Sequence, residues 1–215
     1  MNDAQRDQID AIRYAVLCKL AGGFRHALMG ELQAVRFSAE LAARSLKTGA
    51  DPERVGGYIA TISEQCAALR ETGDSLIEWL RPEQGTTVSV EHGVARCVKL
   101  AGDDLRLRGI EVSTDLASAD VQVPKAMFQE LVVVALMVLT DRREVPVDIH
   151  IASHVRGGVM ELAFVARPAD RELPMAWVPT DRELGAVDIE LLAGVHGVDC
   201  ACADNGVSLR FARPV

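Results

Sequence analysis

Two stretches near the N-terminus carry apolar residues at alternating spacings of four and three, and any fold of this chain has to bury both. The first is Leu28, Leu32, Val35, Ala39, Ala42 and Leu46; the second is Val55, Ile59, Ile62, Cys66, Leu69, Gly73, Leu76 and Leu80. Such spacing draws one apolar stripe along an α-helix. Between the stretches, Lys47-Thr48-Gly49-Ala50 ends one helix on a glycine suited to a left-handed cap. Asp51-Pro52-Glu53 starts the next with an N-cap acid, a first-turn proline and a second acid favoured by the helix dipole. Two helices joined by about four residues form an antiparallel hairpin. A hairpin alone leaves each stripe half covered, and burying a Leu or Ile is worth roughly 1.5–3 kcal/mol. A second copy is therefore expected to complete a four-helix bundle, making the protein a homodimer.

The first helical pattern extends back through Leu20, Val16, Ile12 and Ile9 to about Asp3, a span on the order of 65 Å. Gly22-Gly23 offers a place for it to kink. His26 is off the stripe. It lies two positions, so roughly 200°, before Leu28, which turns its imidazole to water. Gly23 and Gly30 sit at i−3 and i+4, so the histidine's neighbours on the helix surface have no side chains. Phe37, one heptad beyond Gly30, is a large apolar group where solvent is expected. An exposed histidine with stripped neighbours can be approached closely by another macromolecule.

Composition narrows what that approach can be. Of 215 residues, 49% are apolar and 25% charged, as in ordinary globular domains, and the net charge is −8. With no basic block, direct nucleic-acid binding is disfavoured, because phosphate neutralisation needs clustered Lys and Arg. Residues Met1 to Gln8 lack the order of a secretory signal. The longest apolar run, Leu131 to Leu139, is far short of the roughly 18 residues of a membrane span. A cytoplasmic location is expected. The five cysteines form no disulfide framework, and Cys200 and Cys202, on one side of a strand, have no partner pair at zinc-ligand spacing.

Pro82-Glu83-Gln84-Gly85-Thr86 breaks the helical pattern and divides the chain into residues 1–82 and 86–215. Beyond it, Thr87 to Val90 reads as a strand, Glu91 to Leu105 as a helix, and Ile110 to Leu116 and Asp120 to Val123 as strands. Pro124 opens a very apolar helix reaching about Asp141. Val147 to Ser153 and Val159 to Ala166 alternate as an antiparallel pair around Gly157-Gly158. Leu184 to Val195 is a helix, and Val198 to Ala203 and Val207 to Ala212 form a closing hairpin. The expected class is α+β, with helices on one face of a mixed sheet. His150 and His154 fall about 13 Å apart on a strand, too far to share a metal. His92, His196 and Asp103-Asp104 read as solvated surface, and Trp79 and Trp177 as packing groups.

A helical hairpin with an exposed histidine, followed by this order of strands and helices, resembles a sensor histidine kinase core. Residues 1–82 resemble the dimerisation and phosphotransfer hairpin, and residues 86–215 the Bergerat-type ATP-binding domain. The resemblance implies two asparagines four apart on the helix Phe128 to Leu139, one on Mg²⁺ and one near the triphosphate; Val134 and Val138 stand there. Valine offers no oxygen to a hard cation. The adenine-reading Asp-x-Gly-x-Gly is replaced by Ala166-Arg167-Pro168-Ala169-Asp170, the later phosphate loop retains only Gly185, and Glu172 to Arg182 is too short and glycine-poor for an ATP lid. The acid that follows the histidine in such kinases is Ala27 here.

A kept histidine beside a lost nucleotide site is similar to the ChpT-type histidine phosphotransferases, which carry phosphate in a relay without binding ATP. Ala27 and Glu31 depart from the acid and proline those proteins place one and five positions after the histidine. The resemblance implies His26 as phosphoacceptor. Its partners would be response-regulator receiver domains, including that of a hybrid histidine kinase, and no cofactor would be needed beyond the Mg²⁺ a receiver brings. Phosphoryl transfer asks the histidine side for little more than an exposed, neutral imidazole in line with the acyl phosphate. Gly23, Gly30, Ala27 and Thr72 would admit the receiver's loops, Phe37, Ala34 and Leu41 would offer its first helix an apolar patch, and Arg25 would steady phosphate charge. A non-catalytic kinase-like dimer that binds and regulates a receiver or kinase is the alternative, and Ala27 favours it.

Overall fold

A computed structural model describes residues 2–49, 51–81, 85–117, 120–141, 146–171 and 182–212. The expected boundary at Pro82-Glu83-Gln84, the segment Glu172 to Asp181 and Trp177 lie outside the described residues.

Helix α1, Asp3–Lys47, runs 45 residues without a break through Gly22-Gly23. Asn2 and Gln5 form a capping box at its start, satisfying two orphan backbone donors. Gly49, at φ 66°, turns the chain out of it. The Asp51 carboxylate then accepts from the Glu53 N–H at 3.0 Å and opens α2, Pro52–Leu80. These two helices pack together as the hairpin their spacing predicts.

The remainder is β1 (Thr87–Ser89), α3 (Val90–Leu107), β2 (Val112–Leu116), β3 (Gln122–Pro124), α4 (Lys125–Thr140), β4 (Val147–Arg156), β5 (Val159–Pro168), α5 (Ala186–Val195), β6 (Asp199–Ala203) and β7 (Gly206–Ala212). The five-stranded sheet runs β2-β4-β5-β7-β6, with β2 parallel to β4 and the other pairs antiparallel. Strands β1 and β3 pair as a separate ribbon. Gly157 and Gly158, at φ 59° and 81°, make the two-residue turn that joins β4 to β5. Alternation sends Ile149, Ile151, Leu162, Phe164, Leu209 and Phe211 inward. The fold is thus α+β, with long N-terminal helices and a C-terminal mixed sheet. Among the described residues no helix is long and apolar enough to cross a membrane.

Two features depart from expectation. The first concerns α1, whose N-terminal half belongs to the C-terminal sandwich. Ile9, Ile12, Ala15, Val16 and Leu20 are buried in one continuous core with α3, α4, α5 and the sheet. That explains α4, whose residues Leu131 to Met137 are all buried. A helix apolar all round needs cover on both sides, and here the sheet supplies one side and α1 the other.

The second concerns the apolar stripe, only part of which joins α1 to α2: of its members Ala42 on α1 and Val55 on α2 are buried. The residues buried in the second half of α1 are Ser38, Ala42 and Ser45, and small side chains let helices approach closely. Leu32 and Leu46 remain 50% and 67% exposed, and Ile59 and Leu80 on α2 58% and 52%. Leu46 and Leu32 lie about 100° and 140° round the helix from Ser45 but about 40° and 80° from Ala42, so the hairpin's contact takes one edge of the stripe and leaves the other open.

Candidate functional site

Around α1 near its middle, three directions have three occupants. Ser38, Ala42 and Ser45 are buried on the side of α2, the open edge of the stripe at Leu32 and Leu46 lies next to them, and His26 faces solvent. The imidazole makes no hydrogen bond or ion pair among the described residues. Arg25 beside it is exposed, and Gly30 is open, with nothing within 4 Å of where a Cβ would stand. Phe37, 63% exposed, lies within about 20° of His26 round the helix. Met29, one turn after His26 and 52% exposed, adds a second apolar neighbour. It went unremarked in the sequence because it belongs to neither the stripe nor the glycine pair, although its i+3 position was the signal. Ala34 and Leu41 are half-buried on the flank of this patch.

Gly23 corrects the sequence expectation. It is buried, not open: a Cβ there would meet the Asp104 backbone N at 2.8 Å and the Asp103 Cβ at 3.2 Å. The glycine admits the end of α3 rather than a visiting protein, so α3 walls one side of the turn that precedes His26. Ala27 and Thr72 turn to a cleft between the hairpin and the sandwich, where the Thr72 hydroxyl donates to Glu31 Oε1 at 3.3 Å.

Where α3 reaches α1 the charges are buried. Lys19 Nζ meets Asp141 Oδ2 at 3.0 Å, and Arg108 meets Asp104 at 3.2 Å and Asp141 at 3.6 Å, with all four side chains no more than 6% exposed. Arg108 also donates to the Thr140 carbonyl, and the Leu184 N–H donates to Asp141 at 2.9 Å. Burial pushes the Asp104 carboxyl up, against the pull of Arg108. Asp104 is therefore not the solvated helix end expected of it. Nor is His196 plain surface. Its Nε2 lies 2.8 Å from Glu130 Oε2, and Arg13 Nε donates to Glu130 Oε1 at 2.5 Å. Burial alone would raise the Glu130 carboxyl, but hydrogen bonds from His196 and Arg13 hold it below the ordinary carboxylate value.

These pairs locate α1 over α4. Glu130, Val134, Met137, Val138 and Asp141 fall within about 100° of one another round α4, on one face. The two ends of that face, Glu130 and Asp141, are held by Arg13 and Lys19 of α1. Val134 is 1% exposed and Val138 half-buried. The face on which the resemblance places two asparagines thus carries valines and has α1 laid across it.

The other candidates stand apart. His150 Nδ1 is 3.0 Å from the Ser113 hydroxyl on the outer face of the sheet, and His92 Nδ1 is 2.8 Å from the α3 cap Ser89. Trp79 packs against the core. Cys200 and Cys202 bring their sulfurs to 3.8 Å, but burial pushes both thiols up, Cys200 to about 12, which disfavours the thiolate that a nucleophile or a metal ligand needs. Among the described residues no cluster of three His, Cys, Asp or Glu could hold a metal ion.

No protein-family profile matches the chain, and no curated protein matches it. Solved structures are similar to it. The histidine kinase AdeS of Acinetobacter baumannii has 12% identity over 86% of this chain and 98% of that one, at a TM-score of 0.48. A bacterial phosphotransferase has 11% identity over 91% of this chain and 94% of that one, at 0.42. The histidine kinase ThkA, solved in complex with the response regulator TrrA, has 16% identity over 98% of this chain and 66% of that one, at 0.42. These likenesses are distant, and nothing about the chemistry of this chain follows from them.

Proposed function

We propose that the protein is a histidine phosphotransfer carrier of two-component signalling, acting as a cytoplasmic homodimer. In this reading His26 accepts a phosphoryl group from a receiver aspartate and returns it to another. The observation that carries it is the His26 imidazole: solvent-facing, without a hydrogen bond or ion pair among the described residues, on a helical hairpin, beside the open Gly30 and the exposed Met29 and Phe37. A receiver would seat on that apolar patch, with Ala34 and Leu41 at its edge and Arg25 near the phosphate. The P–O bond of the acyl phosphate breaks as an N–P bond forms, and the aspartate carboxylate leaves with the electron pair. The attacking group is the lone pair of an unprotonated imidazole nitrogen. The Mg²⁺ that screens the phosphate comes with the receiver.

Transfer from ATP has no support in the chain's residues. Valines replace oxygen donors on α4, and α1 lies over them. Ala27 places no acid beside His26 and favours a second reading, a kinase-like dimer that binds a receiver or kinase without carrying phosphate.

One experiment separates the two. The wild-type protein and His26→Ala are each mixed with a radiolabelled phosphorylated receiver and Mg²⁺. Label that appears on the wild type, is acid-labile, and is absent from the variant is the expected result. No label on the wild type, with every cognate receiver tried, removes the carrier and leaves the binding protein.

A further inference from the structure

Between the hairpin and the sandwich lies a cavity of about 470 Å³, bounded by α1, α2, α3 and the start of β2. That volume suits one small organic molecule. Its apolar wall includes Leu20, Phe24, Leu76, Val98, Leu105 and Ile110. The charged groups at its rim are mostly neutralised by neighbours: Lys99 by Glu71 at 2.5 Å, Arg106 by Asp103 at 2.8 Å, and Glu111 by Arg171 at 3.0 Å. Glu31 is the exception. Its only described hydrogen bond is from the neutral Thr72 hydroxyl to Oε1, while Oε2 is shut off from water and has no donor among the described residues. A carboxylate oxygen in that position bears its desolvation cost uncompensated. Thr72 and Ser75 donate their hydroxyl protons to Glu31 and to the Glu71 carbonyl, so their oxygens are still able to accept.

We propose that this cleft is a binding site for a small organic cation with an apolar body. Its ammonium or amidinium head pairs with Glu31 after a turn of the carboxylate and donates to the Thr72 and Ser75 oxygens, and its body lies on the Phe24–Leu76–Val98 wall. An anion is disfavoured, because it would meet Glu31 while both nearby cations are already engaged. The site contains Ala27, the residue after His26, so an occupant would join the hairpin to the sandwich next to the imidazole. The proposal does not depend on phosphoryl transfer.

The test uses the full-length protein and three probes of one shape: phenethylammonium, 2-phenylethanol and phenylacetate. Binding is followed by calorimetry and by ligand-observed NMR. Saturable binding of the ammonium, at least about tenfold tighter than the alcohol, is expected, with none for the acid. Glu31→Gln should reduce the ammonium to the level of the alcohol. Ala27→Leu, which fills the cavity without removing the acid, should abolish binding of both. Absence of saturable ammonium binding up to about 10 mM overturns the proposal, as does equal affinity for ammonium and alcohol, or an affinity indifferent to both substitutions. Thermal melts of both variants confirm that the folded protein was tested.

Discussion

Two glycines of one helix, seven residues apart, should respond in opposite ways to the same substitution. Gly30→Ala places a methyl group in open space and removes the conformational cost of a mid-helix glycine, so it should stabilise the protein by ~0.5–1 kcal/mol. Gly23→Ala drives its methyl group to 2.8 Å from the Asp104 backbone, and overpacking of that kind costs about 1–3 kcal/mol. At about 2–4 °C per kcal/mol for a chain of this size, the melting temperatures should part in opposite directions from wild type. Equal shifts would mean that α3 does not rest on Gly23. The sequence made the exposure of His26 legible, because an angle round a helix is local geometry. The covering of Gly23 was not legible, since it depends on Asp103 and Asp104, some eighty residues away. Those acids, adjacent at a helix end, looked solvated for the same reason.

Among elements, α4 shows both how far periodicity reaches and where it stops. The run from Leu131 to Leu139 announced a buried helix, and its bounds came within a residue or two. What covers it was hidden, because α1 has two employments, pairing with α2 over one half and roofing the sandwich over the other. Ile9, Ile12, Val16 and Leu20 were recognised as apolar, yet no spacing says which neighbour they bury against. The clamp Lys19–Asp141 gives this roof a measurable strength. Lys19→Met leaves the buried Asp141 carboxylate with Arg108 as its remaining cation, 3.6 Å away, so the loss should approach but not exceed the about 3–5 kcal/mol of a fully broken buried pair. Urea unfolding should show that loss, and Lys19→Met with Asp141→Asn should recover part of it. Destabilisation below about 1 kcal/mol, the value of an exposed pair, would place Lys19 at the surface.

At the scale of the whole molecule, the exposed stripe of Leu32, Leu46, Ile59 and Leu80 is the surface that a second copy would cover. Leu32→Asp should convert a species of twice the chain mass into one of a single chain mass in analytical ultracentrifugation, with the circular dichroism spectrum unchanged. A wild type that sediments as a monomer at high micromolar concentration refutes the dimer. The heptad spacing predicted the seam of the hairpin, yet the hairpin closes on one edge of it, Ala42 and Val55 with Ser38 and Ser45, and leaves the rest open. The unbroken course of α1 has a consequence for motion. One rod serves as roof beam in the sandwich and as half of the arm that holds His26 out to solvent. Swinging the two bodies apart means either snapping that rod or lifting the roof, so a visitor that grasps the arm takes hold of the whole molecule.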